Sequence, residues 1–414
     1  MRKEEFYRGA LPQSLGPLEG TRVLEATTSF AGPMAGTVLA DLGADVIKVD
    51  FPGTGEVIRQ VGPFVPSSSK LESSAFHLSI NRNKKCISLD LRTPEGRELF
   101  HQLAAQMDVV IENFKPGTME KWGLGYPAIR QVRPNIVYVS ISGYGQFGPN
   151  HPKPSYDAVG QATGGLMYVT GEADGPPTRA GYGMGDALAG WQGAIGALAA
   201  LAHRSRTGEG QHVDISQQES VLYCSTWGIM GAANADFLWK RSGSGNPIVA
   251  PYNTYPCKDG EYVFVAVALD AHWARLCKLM GREDLIDDPR TRTVADRGKN
   301  RPFVDGVVAE WTRGLTVEEV VQRMDEAQLV VAPILNFRQI LADPHLEERE
   351  MIASVDHPAA GPLKLFGVAA KFSRTPARVR TPAPMLGEHN EEVYCGLLDL
   401  GAERLMALKE KKVI

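Results

Sequence analysis

Asp186 is the residue whose setting in the sequence best suits covalent chemistry. It closes the run Gly181-Tyr-Gly-Met-Gly-Asp186, directly before a helix read as starting at Ala187. Backbone N–H groups at a helix start carry partial positive charge and favour an anion. Flanking glycines let a second molecule come close to the main chain. A carboxylate that is charged, fixed and sterically open can attack an acyl carbon. The same placement also describes an ordinary N-cap, worth about 1 kcal/mol, and spacing alone favours the cap. Gly190, Gly193 and Gly196 continue into the helix. Glycine costs stability there, so these positions imply close packing or a ligand.

Other candidates are weaker. Ser242-Gly-Ser-Gly-Asn246 reads as a mobile lid or as a plain linker. Lys84-Lys85, Arg59, Arg82 and Lys121 could meet the phosphates of a nucleotide-like ligand, although isolated basic residues usually mark solvated surface. His389 reads as part of a polar helix start. No G-x-x-x-x-G-K-[ST] loop occurs, no G-x-G-x-x-G follows the first strand, and no G-x-S-x-G elbow occurs. Five cysteines lie far apart without a C-x-x-C pair. They imply neither a zinc site nor a disulfide framework, and reduced thiols in a cytoplasm are expected. The net charge of −4 comes without any basic block, which leaves a nucleic-acid function unsupported. Met1 to Glu5 lacks the apolar run of a signal peptide, and Ala187 to Ala202 is too short and too rich in Gly and Gln to span a bilayer.

Several elements must position these residues. Thr21–Thr27, Asp45–Asp50, Asp108–Phe114 and Ile136–Ser142 read as strands. Helical patterns separate them, one capped by Thr93-Pro94-Glu95. This alternation predicts a parallel sheet with right-handed crossovers. A long helix to about Arg206, a strand Gln211–Ser216 and another helix follow. Thr254 to Ala268 reads as a hairpin turning at Asp259-Gly260, and Thr316 to Glu319 as a capping box. The organisation expected is a large domain over 1–224, a small α+β domain over 225–330, and a return to the large domain over 331–414. A last helix is read over Glu391–Lys409.

In this order the segments resemble the family III CoA-transferases, the CaiB/BaiF type, over nearly the whole chain. The likeness runs through Ala31-Gly-Pro33, Gly43-Ala-Asp-Val-Ile-Lys48, Asn81-Arg-Asn-Lys84 and Glu112-Asn-Phe-Lys-Pro-Gly117. It continues through Ser142-Gly-Tyr-Gly145, Tyr156-Asp157, Gln161-Ala162, Thr170-Gly-Glu172, Gly185-Asp186 and Thr207-Gly-Glu-Gly-Gln-His-Val-Asp214. The resemblance implies an α/β fold: a Rossmann-like large domain built from both chain ends, a small α+β domain, and two chains interlocked as rings. It implies transfer of CoA from an acyl-CoA, with succinyl-CoA as the default donor, to a carboxylic acid. Asp186 takes the place of the family's nucleophile, passing through an aspartyl anhydride and an aspartyl-CoA thioester. No metal or redox cofactor is implied. CoA contacts carry over onto Ser29, Phe30, Ala31, Lys84, Asn113, Phe114, Lys121 and Tyr144. Gly243, Ser244 and Gly245 take the place of a glycine loop that shields intermediates, here not a run of four glycines. A basic adenine-side residue of some members falls on Phe51.

The acids are not readable, but Tyr156, Gln161, Tyr182 and Met184 are candidates for the substrate pocket. Trp191 and Trp227 with Tyr182 and Met184 suggest a bulky or aromatic acid. An α-methylacyl-CoA racemase is the rival within the fold. Those enzymes resemble this chain but carry His-Asp where it has Tyr156-Asp157, and a phenol is a poor proton carrier near neutral pH. The racemase's glutamate segment reads Ala268-Leu-Asp270 here. A CoA-binding partner subunit of a hetero-oligomeric transferase is a further alternative, disfavoured by the retained Asp186.

Overall fold

The computed structural model describes residues 1–414. Its central sheet has six parallel strands: β1 (Arg22–Ala26), β2 (Asp45–Asp50), β3 (Lys85–Ser88), β4 (Val109–Glu112), β5 (Val137–Ser142) and β6 (His212–Ser216). Their order is β3-β2-β1-β4-β5-β6. Successive side chains alternate between the two faces, so Val23, Val46, Val109 and Val139 pack on one side. Leu24, Ile47, Val110 and Tyr138 pack on the other. Both faces are covered, which is why the strands read as continuous apolar runs.

The first face is closed by α1 (Ala31–Asp41) and the long α4 (Met184–Thr207). The opposite face carries α2 (Pro94–Ala104), opened by Thr93 as N-cap, and the C-terminal segment around Tyr394, Leu405 and Leu408. Between β5 and α4 lies α3 (Asp157–Thr163), and α5 (Gln217–Tyr223) follows β6 directly.

The chain divides into two compact units, residues 1–165, 180–224 and 344–414 in the first, and 166–179 with 225–343 in the second. Two boundaries therefore differ from those expected. Val330–Pro333 pairs antiparallel with Tyr262–Ala266, which keeps it in the second unit, and the return begins at Pro344 rather than 331. Residues 166–179 also join the second unit, because Arg241 donates to the carbonyls of Tyr168 and Gly175 at 3.1 Å each. The hairpin Tyr252–Pro256 with Tyr262–Ala266 and the Thr316–Glu319 capping box both form. The last helix does not run unbroken. A π-helical turn spans Glu392–Leu397, and a separate helix spans Ala402–Glu410, with Asp399 between them in the left-handed region at φ 56°.

The sequence reading missed β3. It follows Arg82-Asn-Lys84, a charged run that looks like surface. In the structure these side chains are buried in ion pairs: Arg82 to Asp41 at 2.6 Å and Lys84 to Glu25 at 2.8 Å. Arg59 is equally buried, pairing with Asp50 at 2.9 Å and Glu72 at 2.6 Å.

Glycine at 190 is a packing requirement. A Cβ there would lie 2.7 Å from the Ala31 carbonyl oxygen and 2.7 Å from Met34 Cβ. Gly190→Leu is expected to lower stability by about 2–3 kcal/mol through overpacking. That outweighs the ~1 kcal/mol that leucine gains in helix propensity. A urea titration reads the difference.

Candidate active site

Loops leaving the carboxyl ends of β1, β4, β5 and β6 enclose a cleft of about 220 Å³. The strand order reverses between β1 and β4, and open α/β sheets bind ligands at such a switch point. Thr28 to Ala31, Asn113 to Pro116, Ser142-Gly143, Lys153 to Tyr156, Asp186 and Gln217 line it. Two of these loops are clamped together. The Asn113 amide accepts from Thr28 N at 2.9 Å and donates to Thr28 O at 2.8 Å. Ser29 is held at φ 69°, with its N–H donating to Glu56 at 2.9 Å. Below Phe114, the Glu112 carboxylate accepts Phe114 N at 2.9 Å. Burial raises the Glu112 carboxyl to about 7.

Asp186 is not the N-cap. The helix starts at Met184, Gly183 occupies the cap position, and Asp186 sits in the first turn. The free N–H groups go to another carboxylate: Asp157 accepts from Gly185 N at 2.8 Å and Asp186 N at 3.4 Å. Gly185 permits this approach, since a Cβ there would lie 2.7 Å from the Asp157 carbonyl oxygen. The Asp186 side chain is thereby left for the cleft. Its Oδ1 accepts from Gln217 Nε2, and Gln217 Oε1 in turn accepts Ser155 Oγ at 2.6 Å.

The expectation that the helix start keeps Asp186 ionised is qualified by its surroundings. Burial raises its carboxyl to about 7, the Asp157 charge adds to the rise, and the Gln217 hydrogen bond opposes it. Desolvation and a like charge outweigh the helix N-terminus.

Of the residues proposed from sequence, Ser29, Phe30, Ala31, Asn113, Phe114, Tyr156 and Asp186 meet in this cleft. Lys84 does not line it, because its ammonium is fully buried against Glu25, Pro33 O and Asn81. Lys121 is exposed at the end of a short helix, Thr118–Lys121, and Tyr144 is half-buried just past β5; neither lines the cleft. Gln161 is buried instead behind Asp157, donating to it at 2.9 Å and to Tyr182 O at 3.2 Å. Tyr182, Met184 and Trp191 lie outside the lining, with Tyr182 66 % exposed. Trp227 belongs to the second unit, stacked on Trp239. Gly243 to Gly245 lie there too, with Gly243 N donating to Gly171 O at 2.9 Å and Arg301 donating to Ser242 O at 2.7 Å. At Phe51, the guanidinium of Arg92 covers the ring at 4.3 Å.

Sequence reasoning missed Gln217, Ser155, Lys115 and Lys153. A strand-end position before Gln217 and the family-like segment Glu112–Gly117 around Lys115 were the available signals; nothing local marks Ser155 or Lys153.

The chain belongs to CoA-transferase family III, whose sequence profile matches residues 18–390. It is 39 % identical to the succinyl-CoA–D-citramalate CoA-transferase of Chloroflexus aurantiacus, covering 96 % of this chain and 98 % of that one. It is 38 % identical to the succinyl-CoA:mesaconate CoA-transferase of Haloarcula marismortui, over 92 % and 96 %. Among solved structures, a CaiB/BaiF family protein from Brucella suis superposes with a TM-score of 0.83 at 34 % identity, covering 93 % of this chain and all of that one. The chain is accordingly a CoA-transferase.

The electrostatics predict an acid limb in the rate near pH 7, since Asp186 loses its charge as pH falls through about 7. In Asp157→Asn the neighbouring charge is gone while an oxygen acceptor for Gly185 N remains. Its acid limb should move to lower pH, as initial rates between pH 5 and 9 would show.

Proposed function

We propose that this enzyme moves CoA from succinyl-CoA to a four- or five-carbon dicarboxylic acid, with Asp186 as the carboxylate that carries the acyl group. The observation that carries this reading is a cleft-facing Asp186 whose second oxygen accepts no hydrogen bond from the protein. The cleft is small, and Lys115 and Lys153 line it together with Phe30, Phe114 and Tyr156. Two cations suit a substrate with a second carboxylate, as in the citramalate and mesaconate named for the relatives. A bulky aromatic acid finds less support.

The free oxygen of Asp186 attacks the succinyl thioester, the C–S bond breaks, and a mixed anhydride and CoA thiolate result. The thiolate attacks the aspartyl carbonyl, succinate leaves, and an aspartyl-CoA thioester remains. The acceptor carboxylate repeats both steps in reverse order. Because a carboxyl near 7 is a stronger base than an ordinary aspartate, it is also the better nucleophile when ionised. Ser29 to Ala31 and Asn113 to Phe114 would hold the CoA arm.

Tyr156, 77 % exposed, supplies no histidine for the α-proton exchange of a racemase. We assign the enzyme to a reducing cytoplasm, which suits its five unpaired cysteines. No helix is long and apolar enough to cross a membrane.

We further propose that a second copy covers the apolar band of Trp191, Ile195 and Tyr223, which are 45 %, 56 % and 80 % exposed, in an interlocked dimer. Sedimentation should give twice the chain mass, and a monomer that is fully active would contradict it.

Asp186→Ala should abolish transfer in a screen of succinyl-CoA against dicarboxylic acids, followed by the mass of each product thioester. Hydroxylamine added with succinyl-CoA should leave a hydroxamate on Asp186 in the unaltered enzyme. Retained transfer by the alanine variant, or α-deuterium incorporation without acceptor, overturns the reading.

A further inference from the structure

The pair Ser155–Gln217 is built as a fixed donor aimed at one oxygen of Asp186. Gln217 opens α5 immediately after β6, where Ser216 caps the helix through Glu219 N at 3.1 Å. Its stem is fixed by packing, since a Cβ on Gly160 of α3 would lie 2.8 Å from Gln217 Cβ. Its amide has two orientations in principle, and the ionised Asp186, which can only accept, turns the NH₂ group toward its Oδ1. The Ser155 hydroxyl then donates to Gln217 Oε1 at 2.6 Å and holds the amide in that place. Ser155 is fixed in turn against Gly143, where a Cβ would lie 2.1 Å from Ser155 Cβ.

We propose that Gln217 is a catalytic residue, the oxyanion donor for the tetrahedral intermediates formed at the Asp186 carboxyl carbon, and that Ser155 is its positioning residue. This rests on the nucleophilic role of Asp186. The oxygen bound by Gln217 is not the one that attacks. It stays on the aspartyl carbon as the carbonyl oxygen of the anhydride and of the thioester. When thiolate adds to the anhydride carbon, the C=O π electrons move onto this oxygen. They return as the bond to the departing succinate breaks. The acceptor carboxylate then adds to the thioester carbon, and the same oxygen carries the charge until thiolate leaves. No proton moves in either step. A donor already placed at that oxygen needs no reorganisation as the charge develops.

The same hydrogen bond favours the charged carboxylate, opposing burial and Asp157 on α3 without overcoming them. The remaining cations of the cleft are Lys115 and Lys153, on the loops after β4 and β5.

Gln217→Leu keeps the side-chain bulk and removes the donor. Loss of one such donor is expected to lower kcat about 100-fold. The acid limb should also move upward by about one pH unit, since the lost hydrogen bond favoured the anion. Ser155→Ala should give a smaller loss with a limb shifted in the same direction. A role confined to folding would leave the limb where it is. The unaltered enzyme is run alongside with hydroxylamine and succinyl-CoA. If it forms the Asp186 hydroxamate while Gln217→Leu keeps the normal kcat or the normal limb, the oxyanion role is overturned and the nucleophile stands. If no hydroxamate forms and Asp186→Ala still transfers, the underlying reading fails instead.

Discussion

Two carboxylates share one helix N-terminus, and the division of labour between them governs the site. Asp157 takes the free N–H groups of Gly185 and Asp186. Asp186 keeps the position on the helix but gives up the cap. By yielding those donors, Asp186 keeps its side chain in the cleft, with its carboxyl raised to about 7 by burial and by the Asp157 charge. Helix, glycine run and the Gly185 contact all serve this exchange. Without a glycine at 185 the two chain segments could not approach as they do.

Beneath the cleft lies a second constraint, a buried network of ions. Glu56 accepts Ser29 N and also meets Lys48 at 3.2 Å and Asn81 at 3.2 Å. Lys48 reaches Glu25 at 3.3 Å, and Glu25 holds Lys84. Opposing carboxylates outweigh burial for Lys48 and raise it, whereas burial wins for Lys84 and lowers it to about 8. Breaking a buried pair is costly because one charge is left without its partner. Through Glu56 the network ties the left-handed turn at Ser29 to the buried ions, and with it Phe30 and Ala31 at the cleft.

How much of this was legible follows from which interactions are local. The parallel sheet was readable because strands buried on both faces carry unbroken apolar runs, and β1, β2, β4, β5 and β6 were all found. The edge strand β3 was not, since Lys84 and Lys85 look like surface until Glu25 and Asp45 are placed beside them. Arg59 and Arg82 failed in the same way. Both are buried cations held by carboxylates: Arg82 by Asp41, 41 residues away, and Arg59 by Asp50 and Glu72, 9 and 13 residues away. The second-unit boundaries also turned on remote pairings, Val330–Pro333 with Tyr262–Ala266 and Arg241 with Tyr168.

At the site, sequence singled out Asp186, which does line the cleft, but misjudged its electrostatics. A glycine-flanked aspartate before a helix signals an anion site, and the local rule then predicts a stabilised charge. The actual sign depends on Asp157, 29 residues earlier, taking the N–H groups, and on Gln217, 31 residues later, offering one donor. Neither spacing repeats with a helical or strand period, so no local pattern could reveal them. The shape of the cleft adds a last point. Lys115 and Lys153 reach it from loops that leave different strands, so the proposed preference for a second carboxylate would be a property of the sheet's switch point rather than of any motif. On the proposed function, recognition of the acid falls to the loops after β4 and β5, while the chemistry falls to α3, α4 and α5. Acceptor choice could then change without disturbing Asp186.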